Sequence, residues 1–186
     1  MTQQQRYDTV GTIGSYELRS YHPCVVADVT VEGPFEKAGN AGFRPLINYI
    51  SGANHSSSKV AMTAPVIQES SRKIRVDEPA LETSHGNSHV ISCVMPEQYA
   101  QVAEVPVPND SQVVLRAIPA QLVAVDRFSG RWSEAIYTER LIALRSHVAM
   151  NGYESIGAPR FARFDPPWTP WFMRRNEIQL PVAEKP

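Results

Sequence analysis

An aromatic, arginine-rich motif near the end of the chain carries the residue types best suited to binding a ligand. Residues 165–178 read DPPWTPWFMRRNEI, in which Trp168 and Trp171 lie among prolines and Arg174 and Arg175 follow them. One interpretation is a rigid aromatic wall on which a planar ligand stacks, with guanidinium groups for its carboxylates. The other, which we favour, is a structural lock with the rings buried against the core. The lock predicts that Trp168→Ala costs about 3–5 kcal/mol of stability.

Histidine and cysteine are the other residue types that could hold a metal or transfer protons. The chain has five histidines, namely His22, His55, His85, His89 and His147, and two cysteines, Cys24 and Cys93. The cysteines have apolar neighbours and no C-x-x-C spacing, which predicts buried, reduced thiols. The sequence also lacks H-E-x-x-H, G-x-S-x-G and phosphate-binding glycine motifs, so it favours a binding protein over an enzyme.

Composition limits the partners that the chain as a whole can attract. It has 186 residues, with 18 basic and 19 acidic side chains and a formal net charge of −1. Such a balance gives no general attraction to nucleic acid or to anionic membranes. The first residues do not form a secretory signal, and no apolar run approaches the roughly 18 residues that span a bilayer. We therefore expect a single cytoplasmic domain whose partner is chosen by a local site.

An internal repeat organises the elements that must position such a site. Shifting the chain by 97 residues superimposes Tyr16–Gly33 on Val113–Gly130 without a gap. Each copy contains two extended runs around a proline turn, which predicts a hairpin, and a helical segment follows each hairpin. The sequence therefore predicts a structural duplication, with half-repeats at about 16–95 and 113–180 between an N-terminal extension, 1–15, and a C-terminal tail, 181–186.

The helices and remaining strands follow from periodicity. The apolar spacing from Phe43 to Ile50 predicts a first helix that either begins near Phe43 or is kinked at Pro45. Ser133 is expected to cap a second helix that ends at Asn151. One face of that helix is predicted from Ile136, Arg140, Ala143, Leu144 and His147. Further strands are predicted at 59–67, 73–76, 89–95, 160–165 and 177–180. These elements predict an α+β fold with a ligand cleft between helices and sheet.

Several motifs together resemble one known family. They are YELRSY (16–21), FRPLINYISGAN (43–54), KVAMTAPV (59–66), FSG (128–130) and DPPWTPWFMRRNEI (165–178). Over nearly the whole chain the set resembles the SOUL haem-binding proteins. The resemblance implies a distorted antiparallel β-barrel of two pseudosymmetric halves flanked by two α-helices, and non-covalent binding of haem, another tetrapyrrole or a planar small molecule. The wider fold is similar to gyrase-inhibitor-like domains, so a small-molecule-binding or hydrolytic barrel is the alternative.

The resemblance also implies where a tetrapyrrole would bind, in a shallow apolar cleft beside the first helix. The related positions in this chain are Asn40, Phe43, Ile47 and Asn48, and Thr169 stands where relatives can have a lysine. Arg44, beside them on the helix, is a candidate cation. His55, in the loop after the first helix, is a weak candidate iron ligand, and a solvated histidine at the rim of the cleft is the favoured interpretation. Asn40 and Asn48 offer neutral hydrogen bonds where a cation would give charge-assisted ones, which are about twice as strong. We therefore expect haem binding that is weak.

Overall fold

The computed structural model describes residues 3–70, 88–166 and 168–186. In chain order its elements are β1 (Gln3–Gln4), β2 (Tyr7–Ile13), β3 (Tyr16–Tyr21), β4 (Cys24–Glu32), α1 (Phe35–Ile50), β5 (Thr63–Ala64), β6 (Val66–Ser70), β7 (Ser88–Val94), β8 (Val114–Ile118), β9 (Gln121–Phe128), α2 (Glu134–Met150), β10 (Tyr153–Ser155), β11 (Arg160–Arg163) and β12 (Asn176–Glu184). The predicted strand at 73–76 and His85 lie outside the described residues. Neither helix is long and apolar enough to cross a bilayer.

One large antiparallel sheet dominates the fold and confirms the predicted α+β class. Its strand order is β2-β3-β9-β12-β11-β6-β7-β4-β8, and β10 pairs with the far end of β12. Within the described ranges no ladder joins β2 to β8, so the sheet remains open. The distorted antiparallel β-barrel that the resemblance implies is therefore present only as one large antiparallel sheet with two helices, and its outermost strands do not pair within the described part of the chain. Periodicity along a strand reports its two faces, but it does not report whether the outermost strands meet.

The strands of the repeat are exchanged between the two halves. β3 pairs with β9 and β4 pairs with β8, whereas β3 and β4 are not neighbours. The exchange is reciprocal, because Leu18 lies opposite Ala124 and Leu115 lies opposite Ala27 at the same 97-residue offset. The predicted duplication is thus present, but the predicted hairpins are wrong. The other edge of β3 is taken by β2, which lies in the segment expected to be an extension.

The halves meet where β6 and β11, their corresponding strands, pair with each other. Gln68 lies opposite Phe161, with Ile67 opposite Ala162 and Glu69 opposite Arg160. This register places the pseudo-two-fold axis between Gln68 and Phe161. Helix α1 packs on β4 and β7, and α2 packs on the equivalent strands β9 and β12.

Helix α1 begins at Phe35, eight residues earlier than the alternative start predicted near Phe43, and Pro45 lies inside it. Its buried face continues toward the N-terminus through Ala38, Gly39 and Gly42. Glycine and alanine add little to an apolar pattern, so periodicity could not find this half of the helix. The glycines allow close packing, since a Cβ on Gly42 would lie 2.4 Å from Ile91 Cγ1.

Helix α2 has the predicted bounds, and Ser133 Oγ accepts a hydrogen bond from the Ile136 amide at 3.3 Å. Its buried residues are Tyr137, Leu141, Leu144 and Val148. The predicted stripe shared only Leu144 with this face and was therefore rotated. The polar neighbours Arg140 and His147 border the buried face without entering it, because long side chains can pack along their stems and keep their polar ends outside.

The helix-free face of the sheet holds a buried ionic group that we call the Arg19 cluster, made of Glu17, Arg19, Tyr21, Glu177 and Gln179. Arg19 and Glu177 are both fully buried, with Nη1 3.0 Å from Oε2. Arg19 also donates to Glu17 and to the Tyr21 hydroxyl. Burial by itself lowers the pKa of Arg19, but the hydrogen bond to Glu17 and the charge of Glu177 outweigh it and raise that pKa.

Candidate functional site

A groove of about 540 Å³ lies beside α1. One wall is α1, another is the chain from Met62 to Val66, and the third is formed by Trp132 and the segment that follows β11. The volume falls within the usual range for small-molecule sites, about 300–1,000 Å³.

Helix α1 presents one face to the groove. Gly39, Asn40, Phe43 and Ile47 line it, and their spacing of one, three and four residues is that of a single helical face. Phe43 and Ile47 are half-buried, so their outer surfaces remain available to a ligand. Three of the residues that the resemblance indicated, Asn40, Phe43 and Ile47, therefore lie together here.

The other four indicated residues do not line this groove. Arg44 and Asn48 are exposed on neighbouring positions of α1. His55 is exposed in the loop after α1, where its amide donates to the Val107 carbonyl at 2.9 Å. Thr169 lies in a turn, and its carbonyl accepts a hydrogen bond from Arg174 Nε at 2.7 Å.

The aromatic motif after β11 is exposed, so the structural lock is the wrong interpretation. Trp168 is 84% exposed and Trp171 is 49% exposed. The loop is closed by polar contacts, because the Arg175 amide donates to Asp165 Oδ2 and the Phe164 amide donates to the Arg175 carbonyl. The rings are therefore not needed to hold the loop, and Trp168 lies on the groove wall instead.

A different aromatic stack fills the core beneath the groove. Trp132 lies over Phe161 with ring centroids 3.5 Å apart, and Phe35 stacks on Trp132 at 5.7 Å. Continued past the ranges given above, the 97-residue offset matches Phe35 with Trp132, and in the structure these rings contact each other. This stack supplies the packing that the sequence had assigned to Trp168 and Trp171.

Arg163 is one of the arginines that line the groove. It is the last residue of β11 and shares a face with Phe161 two positions earlier. Its guanidinium carbon lies 3.4 Å from the centroid of Trp132, and Nη2 donates to Gln68 Oε1 at 3.2 Å. Gln68 in turn donates from Nε2 to the Phe35 carbonyl at 3.0 Å, which fixes the direction of its amide.

No carboxylate of the described residues forms an ion pair with Arg163, and its Nε is buried without a hydrogen-bond partner. Burial and the nearby charge of Arg174 lower the pKa of Arg163 to about 9. This is opposite to the shift of Arg19, which has carboxylate partners. Glu36 and Asp165 also line the groove, but neither forms an ion pair with Arg163.

Histidine does not contribute to the groove among the described lining residues. Three of the described histidines bond elsewhere. His22 contacts Asp8, His89 contacts Ser70 and the Gly33 carbonyl, and His147 contacts the Ala143 carbonyl. The described residues also contain no group of three or more His, Cys, Asp or Glu side chains placed to hold a metal. Burial raises the pKa of Cys24 to about 11 and that of Cys93 to about 12, and both thiols are free.

Sequence reasoning missed Gly39, Trp132 and Arg163. A weak signal existed for Gly39, since two glycines three residues apart in one helix indicate close packing. The signal for Arg163 was the alternation in residues 160–163, which places Phe161 and Arg163 on one face. Neither signal identifies the partner across the groove.

Comparison with known proteins agrees with the family suggested by the motifs. A family model described as SOUL heme-binding protein matches residues 2–181. Heme-binding protein 1 of Xenopus laevis is 28% identical over 165 residues, which cover 88% of this chain and 82% of the relative. Heme-binding protein 2 of Homo sapiens is 31% identical over 140 residues, and the match covers 75% of this chain and 64% of that relative.

Solved structures share the fold at low sequence identity. The C-terminal domain of EcmrR superimposes with a TM-score of 0.67 at 20% identity, covering 91% of this chain and 99% of that domain. EcmrR in a DNA complex gives 0.68 at 20% identity, over 92% of this chain and 58% of the longer one. A hydrolase of Listeria innocua gives 0.56 at 13% identity, over 95% and 94% of the two chains. These likenesses concern the fold alone, whereas the match of the family model over residues 2–181 shows that the chain belongs to the SOUL heme-binding protein family.

Proposed function

We propose that this protein binds haem or another tetrapyrrole non-covalently in the groove beside α1. The observation that carries the proposal is the open groove itself, where the half-buried side chains of Phe43 and Ile47 share a cavity with the exposed ring of Trp168. Membership of the family supports haem as the ligand.

The residues present fit such a ligand. Phe43 and Ile47 offer an apolar surface to one porphyrin face, and Trp168 offers an aromatic plane. Asn40 adds a neutral hydrogen-bond donor at the same wall. When bound, haem iron supplies redox and small-ligand chemistry that is tuned by its surroundings. The chain's own residues bind the ring, orient it and exclude water from one of its faces.

Absorption titration with haemin tests the proposal, with Ile47→Asp as the decisive variant. Saturation near one equivalent is expected for the native chain. Ile47→Asp is expected to weaken binding at least about tenfold, because it places an unpaired carboxylate against the porphyrin face. Ile142→Asp is the matched control, since Ile142 is 49% exposed on α2 and lies outside the groove. Binding that never saturates, or equal affinity of the two variants, would contradict the proposal.

Trp168→Ala distinguishes a ligand wall from a packing residue. At 84% exposure, removal of the ring is expected to change the free energy of unfolding by less than about 1 kcal/mol. The same change is expected to weaken haemin binding several-fold, because the ring lines the groove. Trp171→Ala, in the same loop but outside the lining, is expected to leave the affinity unchanged. Urea unfolding and the haemin titration measure the two effects separately.

A further inference from the structure

We infer that Arg163 is the anion-recognition residue of the groove, and that the ligand is a planar amphipathic molecule bound with one carboxylate directed toward the end of β11. The inference rests on the proposed function, which it deepens by naming the charged contact. None of the residues that the family resemblance indicated supplies it, since Arg44 lies outside the lining and Asn40 is neutral. Arg174 of the aromatic motif, which the sequence offered as a guanidinium for carboxylates, lines the groove with Arg163.

The position of the Arg163 guanidinium is fixed on three sides. Trp132 lies beneath it at 3.4 Å, and Gln68 accepts a hydrogen bond from Nη2. Gly39 of α1 lies against it on a third side, where a Cβ would be 2.6 Å from Nη1. Helix α1 therefore leaves space at Gly39 that the guanidinium fills, and the cation is held in place before a ligand arrives.

The charge of Arg163 has no counter-charge among the described residues. A cation at such a half-buried position ordinarily acquires a carboxylate partner, as Arg19 does with Glu177. Arg163 instead has Arg174 nearby, and Arg174 also lines the groove. Since no carboxylate of the described residues pairs with Arg163, a ligand anion in the groove is the partner that we infer for it; Arg163 lines that groove.

The residues around Arg163 indicate the chemical class of the ligand that bears the anionic group. Phe43, Ile47 and Trp168 line the groove with apolar and aromatic surface. The Arg163 guanidinium lines the same groove and has one hydrogen bond to a described residue, Gln68, so it retains further N–H donors of the kind that suits a carboxylate. A ligand with an apolar plane and a carboxylate at one edge can contact both the apolar wall and the Arg163 guanidinium. Esterifying that carboxylate removes the negative charge that the guanidinium would bind.

The experiment compares haemin with haemin dimethyl ester, which has the same ring and no carboxylates. Titrations use the native chain, Arg163→Met and Arg163→Lys, with Arg127→Met as a control because Arg127 is exposed on β9 outside the groove. The native chain is expected to prefer haemin to the ester by about tenfold or more, the usual scale of a charge-assisted hydrogen bond. Arg163→Met is expected to remove that preference, Arg163→Lys to restore part of it, and Arg127→Met to keep it.

The melting temperature of each ligand-free variant separates recognition from a structural role. Arg163→Met is expected to keep the melting temperature of the native chain, because it removes a charge with no counter-charge along with its hydrogen bond. Equal affinity of the native chain for haemin and its ester, or an unchanged preference in Arg163→Met, would overturn the inference while leaving haem binding intact. Failure of the native chain to bind either porphyrin would instead overturn the proposed function.

Discussion

Two buried arginines lie on opposite faces of the same sheet and have opposite surroundings. Arg19, on the helix-free face, is enclosed by Glu17, Tyr21 and Glu177. Arg163, on the helix face, contacts an indole ring, an amide and a glycine, with no carboxylate among its described neighbours. The pKa of Arg19 is raised and that of Arg163 is lowered, although burial acts on both in the same direction.

The difference shows how one sheet separates stability from binding. The Arg19 cluster pairs its own charges, since Arg19 forms ion pairs with Glu17 and Glu177, although Arg19 Nη2 and Gln179 Oε1 are buried without a hydrogen-bond partner among the described residues. The groove around Arg163 brings together a cation, an apolar wall and an exposed indole ring. A bound ligand would contact all three groups. Substitutions in the two regions are therefore expected to affect different measurements.

The largest effect is expected from Glu177→Gln in the Arg19 cluster. The change removes the charge that faces Arg19 at 3.0 Å and Arg175 at 2.7 Å, and it leaves buried positive charge uncompensated. Breaking a buried ion pair in this way costs about 3–5 kcal/mol. Equilibrium urea unfolding measures the loss, with Glu184→Gln at the exposed end of the same strand as control. A loss below about 1 kcal/mol would mean that the cluster does not differ from a surface pair.

An intermediate effect is expected from two alanine substitutions in α1. In Gly42→Ala the new Cβ meets packed side-chain atoms of Ile91 at 2.4 Å, so we expect a loss of about 1–3 kcal/mol despite the better helix propensity of alanine. In Gly39→Ala the Cβ meets the end of the Arg163 side chain, which can rotate away. Thermal unfolding should therefore change little in Gly39→Ala, while haemin affinity falls. Equal destabilisation by both would contradict the separation of packing from binding.

The smallest effect is expected from Glu17→Gln, and it depends on pH. The hydrogen bond from Arg19 lowers the pKa of Glu17 below the ordinary value of a glutamate side chain. A lowered carboxyl pKa gives stability above the unfolded-state pKa, and that stability is lost as pH falls through the folded-state value. The side chain is 38% exposed, so solvent screens the pair and the effect at pH 7 should stay below about 1 kcal/mol. Urea midpoints of the two proteins should differ at pH 7 and converge once the pH is below the folded-state pKa of Glu17; a difference that persists when the carboxyl group is protonated would exclude ionisation as its cause.

The strands of the repeat could be predicted because apolar and polar residues alternate in both copies, and because the copies align without a gap at an offset of 97 residues. Their pairing could not be predicted, because Leu18 faces the core equally well in a hairpin and in the exchanged arrangement. The packing of the first half of α1 could not be predicted from the apolar pattern either, because Gly39 and Gly42 allow close contact by having no side chain and so add nothing to that pattern.

The candidate site could be predicted as far as the face of α1. Phe43 and Ile47 follow from helical spacing and the resemblance, whereas Arg163 reaches them from a strand 116 residues beyond Ile47. Trp168 was misjudged because aromatic residues between prolines are usually buried, and only the tertiary structure shows that Trp132 and Phe161 already fill the core.

Because β3 pairs with β9 and β8 pairs with β4, the two halves of the chain are intertwined, as the subunits of a strand-swapped dimer are. A fragment containing one half would leave both β4 and β6, or both β9 and β11, without the strands that the other half supplies. Two such fragments would complete each other only by colliding, so their assembly would depend on concentration. The connection between residues 95 and 113 replaces that collision with an intramolecular encounter at a high effective concentration. A single covalent link thus makes formation of the groove independent of dilution.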